Sequence, residues 1–444
     1  MSPTKWLKNK LEGEKIMIDI KIIRENRNIV KENIKKKFQD QKLPLVDEVY
    51  DLDIKFREAK LEADTLRGEK NTKSALIGQL MREGKKDEAA KVKNEVSKAN
   101  TRITELETIE EKLQADIKLK MMAIPNIMDD SVPVGKDDNE NVENEKFGEP
   151  IVPDFEIPHH ADIMAKLAGI DKESAGRTSG NGFYYLIGDI ARLHSAMLSY
   201  ARDFMIDKGF TYCIPPFMIR SEVVTGVMSF DEMDEMMYKI EGEDLYLIGT
   251  SEHSMIGKFK DQIVKENELP IAMTSYSPCF RKEVGSHGIE ERGVYRVHQF
   301  EKQEMVVLCK PEESKEWYDK MWKATVEFFR SLDVPVRTLE CCTGDLADLK
   351  VKSCDVEAWS PRQQKYFEVG SCSTLGDAQA RRLGIRTKGE DNTYYVHTLN
   401  NTVLATPRGL IGFLENNVNE DGSVNIPVAL RPYMGGKTKI EVKK

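Results

Sequence analysis

The sequence predicts an α+β protein: an N-terminal antiparallel coiled-coil hairpin followed by a domain built on an antiparallel β-sheet flanked by helices. Three observations carry that expectation. Val49, Leu52, Phe56, Ala59, Ala63 and Leu66 recur at steps of three and four, as do Val92, Val96, Ala99, Ile103 and Leu106, the spacing of a heptad seam. Residues 124–160 are acidic and carry prolines at 150, 153 and 158, a composition that marks a domain junction. Beyond residue 161, strand-like runs alternate with amphipathic helices and are linked as hairpins, which favours an antiparallel sheet with segregated helices.

In chain order, residues 1–16 read as an extension without structure, and 17–125 as the helical arm, opening at Met17 with a strand-like then helical run. In M-R-E-G-K-K-D-E-A, Gly84 stops the first long helix and the polar residues turn the chain. Two arms of roughly 30 residues each would extend about 45 Å. Residues 126–160 form the linker and 161–444 the second domain. There, Ile190–Ile206 reads as a helix ending before Gly209, and F-T-Y-C-I-P-P as a strand stopped by Pro215 and Pro216. Further strands are expected at 245–248, 294–300, 304–309 and 366–369, with helices near 311–331 and 409–417.

Composition narrows the function classes. A chain of 444 residues is too long for one small core. No apolar run approaches the ~20 residues that span a bilayer, and the N-terminus lacks the apolar stretch of a secretory signal, so the expectation is a cytoplasmic protein with no membrane partner. The seven cysteines all lie beyond residue 200 without a C-x-x-C pair, which argues against a disulfide framework or a zinc ribbon. The net charge of −9 hides a division: residues 17–125 hold 24 Lys/Arg against 21 Asp/Glu (+3), leaving 42 against 54 (−12) elsewhere. A mildly basic segment on an acidic protein permits nucleic-acid contact without demonstrating it.

The chemistry concentrates in residues 278–304, P-C-F-R-K-E-V-G-S-H-G-I-E-E-R-G-V-Y-R-V-H-Q-F-E-K-Q-E. On an extended backbone Arg281 and Glu283 share a face. The guanidinium could then fork onto a phosphate or carboxylate while the acid accepts from an amine. No G-x-x-x-x-G-K-[ST] and no strand-to-helix G-x-G-x-x-G occurs, so a nucleotide here is held by side chains. Taken alone, F-R-K-E reads equally well as a hairpin with surface charges, and the heptad arm as an ordinary packing or dimerisation coiled coil.

Larger patterns weigh against that. The helix and proline-stopped strand of 190–216, the F-R-x-E strand with its return strand, and a strand-to-helix unit holding Arg408 resemble, in order, motifs one to three of class II aminoacyl-tRNA synthetases. With T-S-E at 250–252, R-G-x-x-R-x-H-Q-F-x-K-x-E, C-T-G-D at 342–345, H-T-L-N at 397–400, L-R-P-Y-M at 430–434 and the helical hairpin, the chain from Met17 onward resembles the seryl-tRNA synthetase family. The resemblance implies a class II catalytic domain, with Arg281 and Arg408 as the catalytic pair. Arg281, Lys282, Glu283, Arg296, Val297, Phe300, Glu368, Val369, Gly370, Ser371 and Arg408 would face ATP. Within that set Arg281 takes the α-phosphate, Glu283 the adenine amine, Phe300 the adenine face, and Arg296 and Arg408 the outer phosphates. Thr250, Ser251, Glu252, Arg281, Glu304 and Thr402 would bind L-serine, and Glu368 with Ser371 would hold Mg²⁺.

The same resemblance implies a homodimer whose arm binds a tRNA with a long variable arm. It leaves the selenocysteine tRNA open as a further acceptor. Two departures stand out. The motif-two loop reads G-I-E-E-R-G, with Ile289, Glu290 and Glu291 where relatives carry G-R-D-T-R-G, and Gly182 replaces a common arginine. The rival readings are a paralogue delivering an amino acid to a carrier protein, a related synthetase for threonine, proline or glycine, and a non-catalytic tRNA-binding homologue.

Overall fold

The computed structural model describes residues 18–283, 293–390 and 392–442, apart from the side chains of Phe230 and Asp231. Two compact units result: residues 18–35 with 39–125, and residues 36–38 with the rest from Asn126 onward.

The first unit holds α1 (Ile20–Lys36), α2 (Leu43–Arg82) and α3 (Lys86–Met121). Pro44 sits in the first turn of α2, where its missing N–H costs nothing. Gly84, at φ +77°, turns the chain between the two long helices. Ala59, Ala63 and Leu106 are buried along the seam with Leu66 packed against them, so small side chains let the helices approach closely. At 40 residues α2 exceeds the expected arm and reaches about 60 Å. The polar flanks of the seam are bridged by exposed pairs, Arg102–Glu62 at 2.7 Å and Lys73–Glu95 at 3.1 Å. Exposed ion pairs of this kind add little once solvent screens them, so the apolar seam dominates. A buried carboxylate, Asp53, ties α1 to α2 through Arg24 at 2.7 Å. Among the described residues no strand precedes α1.

The elements of the second unit that bear on the site are β1 (Val142–Phe147), α4 (Gly188–Asp207), β2 (Thr211–Cys213), α5 (Ser251–Gly257), β3 (Ile271–Phe280), β4 (Gln299–Cys309), α6 (Ser314–Ser331), β5 (Val336–Glu340), β6 (Lys352–Ser360), β7 (Lys365–Thr374), α7 (Ala378–Leu383), β8 (His397–Ala405) and α8 (Thr406–Asn417). They build an eight-stranded sheet in the order β1-β5-β6-β7-β8-β4-β3-β2. All neighbours run antiparallel except β2 and β3, which are parallel. Thus residues 142–147, inside the stretch read as a linker, form an edge strand of the sheet. The strand expected at 294–300 begins only at Gln299 and runs unbroken into the one expected at 304–309. The run at 245–248 makes a short strand, Tyr246–Leu247, paired with Met218–Ile219 outside the main sheet.

Helices α4, α6 and α8 cover one face of the sheet through a single apolar cluster in which Phe328, Phe329 and Phe413 are wholly buried. The cysteines are all unpaired, and six of the seven are buried. Two β-bulges interrupt the ladders beside the site. One lies between Val356 and Glu357 opposite Glu368–Gly370, the other between Thr402 and Leu404. Bulges re-aim side chains that strict alternation would send to opposite faces.

Candidate active site

The site grows from β4. Alternation along this strand puts Phe300, Lys302 and Glu304 on one face, where Phe300 borders one of two cavities, Glu304 the other and Lys302 both. The first, about 160 Å³, has an aromatic and aliphatic floor of Phe300, Tyr295, Val297 and Val369 under a rim of Arg281, Glu283, Arg296, Glu368 and Arg408. The second, about 380 Å³, is lined with polar groups that include Thr250, Glu252, Glu304, Lys350, Asp355 and Ser371. Arg281, Lys302, Glu368 and Thr402 border both. A cleft of this size with a few convergent charges is the usual form of a small-molecule site.

Arg281 lies just beyond β3, which ends at Phe280. The alternation expected for F-R-K-E therefore does not apply. Arg281 and Glu283 reach the same cavity because the backbone leaves the strand, with Glu283 in the left-handed region at φ +48°, a conformation that strains a non-glycine residue. The Arg281 guanidinium stacks over Phe300, 5.3 Å from its centroid, and donates to the Gly249 carbonyl at 3.2 Å. Its backbone N–H donates to the His298 carbonyl, whose own N–H reaches Gly182. These contacts fix the fork before any ligand arrives. Arg408, in the first turn of α8, lies 4.8 Å from the Tyr295 ring centroid and donates to Glu368 at 2.6 Å. Burial works against the Glu368 carboxylate, yet Arg408 holds it below its ordinary range. The bulge opposite Val369 explains how Glu368, Val369 and Gly370, consecutive in sequence, all border one cavity.

In the second cavity Thr250 caps α5, accepting from the Glu252 N–H at 3.3 Å and donating to Glu304 Oε2 at 2.9 Å. Lys302 pairs with the same Glu304 oxygen. Among the described residues Glu304 Oε1 has only a long 3.5 Å contact from Thr402, which leaves it accepting capacity toward the cavity. Glu252 accepts from Gln379 of α7 at 2.8 Å. Burial, reinforced by the nearby Glu304, pushes the Glu252 carboxyl up to about 7. Ser371 lies across from Asp355 on the β6–β7 ladder.

Two expected site residues are not brought to the walls. Lys282 turns outward to the Asp234 carbonyl at 3.0 Å, and Ser251 is buried in the first turn of α5 beneath the cavity. The loop holding Ile289, Glu290 and Glu291 lies outside the described residues. Gly182 has a local reason: its φ is +80° and an added Cβ would stand 2.4 Å from the His298 ring, so an arginine does not fit this backbone. His253 is buried and held neutral, its pKa lowered to about 3 by burial and then by Arg281 and Lys302. His298 hydrogen-bonds Tyr238 at 3.0 Å. Sequence reasoning missed Tyr295, Lys302, Lys350, Asp355 and Gln379. Only Lys302 left a signal, its two-residue offset from both Phe300 and Glu304.

The architecture, with one arginine at the end of β3 and another at the start of α8 facing each other over an aromatic floor, defines a class II tRNA synthetase core, and residues 236–417 match the family described as "tRNA synthetase class II core domain (G, H, P, S and T)". Residues 17–128 match the "Seryl-tRNA synthetase N-terminal domain". A serine–tRNA ligase of Methanoculleus marisnigri is 39% identical over 423 residues, covering 95% of this chain and 99% of that protein. Among solved structures, the seryl-tRNA synthetase of Pyrococcus horikoshii complexed with ATP superposes with a TM-score of 0.92 at 38% identity, covering 96% of this chain and all of that one. The cytoplasmic serine–tRNA ligase of Naegleria fowleri in complex with AMP gives 0.82 at 32% identity, covering 96% of this chain and 99% of that one. The chain belongs to the seryl-tRNA synthetase family.

Proposed function

We propose that this protein activates L-serine with ATP and transfers the seryl group to the 3′ end of serine tRNA. The observation that carries the reading is the placement of Arg281 between a cavity floored by Phe300 and one ended by Glu252 and Glu304. A ligand spanning the two would put a purine on Phe300, a phosphate at the guanidinium and an amino acid against the carboxylates. The serine carboxylate oxygen attacks the α-phosphorus, the bond to the bridging oxygen breaks, and pyrophosphate leaves. Arg281 neutralises the charge that develops on the phosphoryl oxygens, while Arg296 and Arg408 hold the outer phosphates. The tRNA terminal ribose hydroxyl then attacks the activated carbonyl and releases AMP. No protein nucleophile is required, in keeping with the neutral His253.

Glu304 Oε1 accepts from the serine hydroxyl, which separates serine from alanine by a charge-assisted hydrogen bond worth a few kcal/mol. Thr402, opposite Glu304 on β8, closes the pocket. Thr250 and Glu252 receive the ammonium. The hard oxygens of Glu368 and Ser371 suit magnesium, and a lysine ammonium already lies 3.5 Å from the Ser371 hydroxyl, so the place accepts positive charge. When bound there, the ion supplies charge neutralisation to the phosphates. The helical arm serves a tRNA with a long variable arm, and the enzyme works as a cytoplasmic homodimer. Among the described residues no helix is long and apolar enough to cross a membrane. The arm also speaks against delivery to a carrier protein, which has no use for it.

ATP–pyrophosphate exchange with serine, threonine, alanine and glycine, followed by charging of a long-armed tRNA, tests the reading. Serine-selective exchange with charging is expected, and exchange that no amino acid supports would end it. A pH dependence follows from Glu252. Its carboxyl, raised to about 7, is neutral below that pH and then attracts the substrate ammonium poorly. The serine KM should therefore rise about tenfold per pH unit below 7, and Glu252→Gln should give a high KM flat across the same range. A sloping KM in the Gln variant would place the titrating group elsewhere.

A further inference from the structure

Lys350 precedes β6 and projects into the second cavity, where its ammonium is 3.2 Å from the Ser353 hydroxyl and 3.5 Å from the Ser371 hydroxyl. The anionic groups acting on it most strongly include Asp355 and Glu368. Asp355 stands opposite Ser371 on the β6–β7 ladder. Asp355, Glu368 and Ser371 thus border the same cavity, where Lys350 supplies positive charge beside Ser371. Glu368 already shares its charge with Arg408. Asp355 has no arginine among the groups acting on it, and Lys350 is the main cation there. Two carboxylates brought together this way call for a cation between them.

We propose that Asp355 is a third oxygen donor of the divalent-cation site formed with Glu368 and Ser371, and that Lys350 is a resident cation that occupies this place until the metal displaces it. The inference rests on the assignment of Glu368 and Ser371 as metal ligands. All three donors are oxygens, the set a hard dication selects over a soft one. An ammonium and a dication cannot share the place without repulsion, so metal entry requires Lys350 to swing away from Ser371. The lysine then compensates Asp355, as Arg408 compensates Glu368, and it sets a threshold for metal binding that nucleotide phosphates help to overcome.

Manganese is the probe, titrated into the full-length protein while the free Mn²⁺ signal is followed by electron paramagnetic resonance, with and without a non-hydrolysable ATP analogue. Lys350→Met should bind Mn²⁺ about tenfold more tightly than the parent without nucleotide, and Asp355→Asn about tenfold more weakly in both conditions. Lys350→Gln, which keeps a hydrogen-bonding tip, provides a second variant should the Met form fold poorly. Unchanged or weaker affinity in both lysine variants overturns the resident-cation role, and unchanged affinity in Asp355→Asn overturns its place as a donor. Glu368→Gln separates this inference from its premise: if that change leaves Mn²⁺ affinity untouched, the metal assignment itself falls.

Discussion

Arg281→Ala is expected to lower serine-dependent ATP–pyrophosphate exchange about a thousandfold, the loss of ~4 kcal/mol that follows removal of a preorganised charge from a phosphoryl-transfer site. The size of the effect comes from position. Arg281 borders both cavities, stacks on Phe300 and is anchored to the Gly249 carbonyl, so no neighbour can take its place without rearrangement. Arg281→Lys keeps the charge but loses the planar fork, and should recover only a small part of the activity. Thermal melts within a few degrees of the parent would show that the loss is catalytic. Exchange within tenfold of the parent in a folded Arg281→Ala protein would remove Arg281 from the reacting phosphorus.

Shortening the arm should divide the two half-reactions. Glu62 faces Arg102 at 2.7 Å across the two long helices, so residues 66–98 can be replaced by a short glycine-rich turn with that pair kept to hold the register. Exchange should stay within about twofold. Charging of a long-armed tRNA should fall by at least ~100-fold, because the element proposed to read the shape and backbone of the nucleic acid is gone. Equal loss of both activities in a folded variant, or full charging, would refute the division of labour.

Much of this was legible locally. The heptad seam announced the arm because a period of three and four residues needs no knowledge of distant contacts, and the structure buries Ala59, Ala63 and Leu106 along it. Its length was underestimated because the polar residues toward the tip, from Lys70 to Arg82, obscure the pattern although the helix continues through them. The strand limits around the motif-two hairpin were misjudged for a related reason. Val294–His298 has strand-like composition, but only Gln299 onward finds a ladder partner. Most of the motif residues taken from the family resemblance do meet around two cavities. Lys282 does not, because the turn that carries Glu283 into the left-handed region directs it outward.

By itself the sequence determined which chemistry is present: a fork-bearing arginine after an apolar strand, Phe300 and Glu304 farther along the same stretch, and a helical arm, each encoded within a few residues. Only the tertiary structure decided how those groups are charged and aimed. Glu252 of α5 rises to about 7 because it is buried and, next, because Glu304 of β4 lies near it. Lys350 reaches Ser371 beside Asp355 because the β6–β7 ladder sets those two residues opposite each other. Consecutive residues 368–370 border one cavity because a bulge breaks the alternation. Such features depend on pairings between segments apart in the chain, and the energy of a buried charge depends on every neighbour at once, so neither is written in any single stretch of residues.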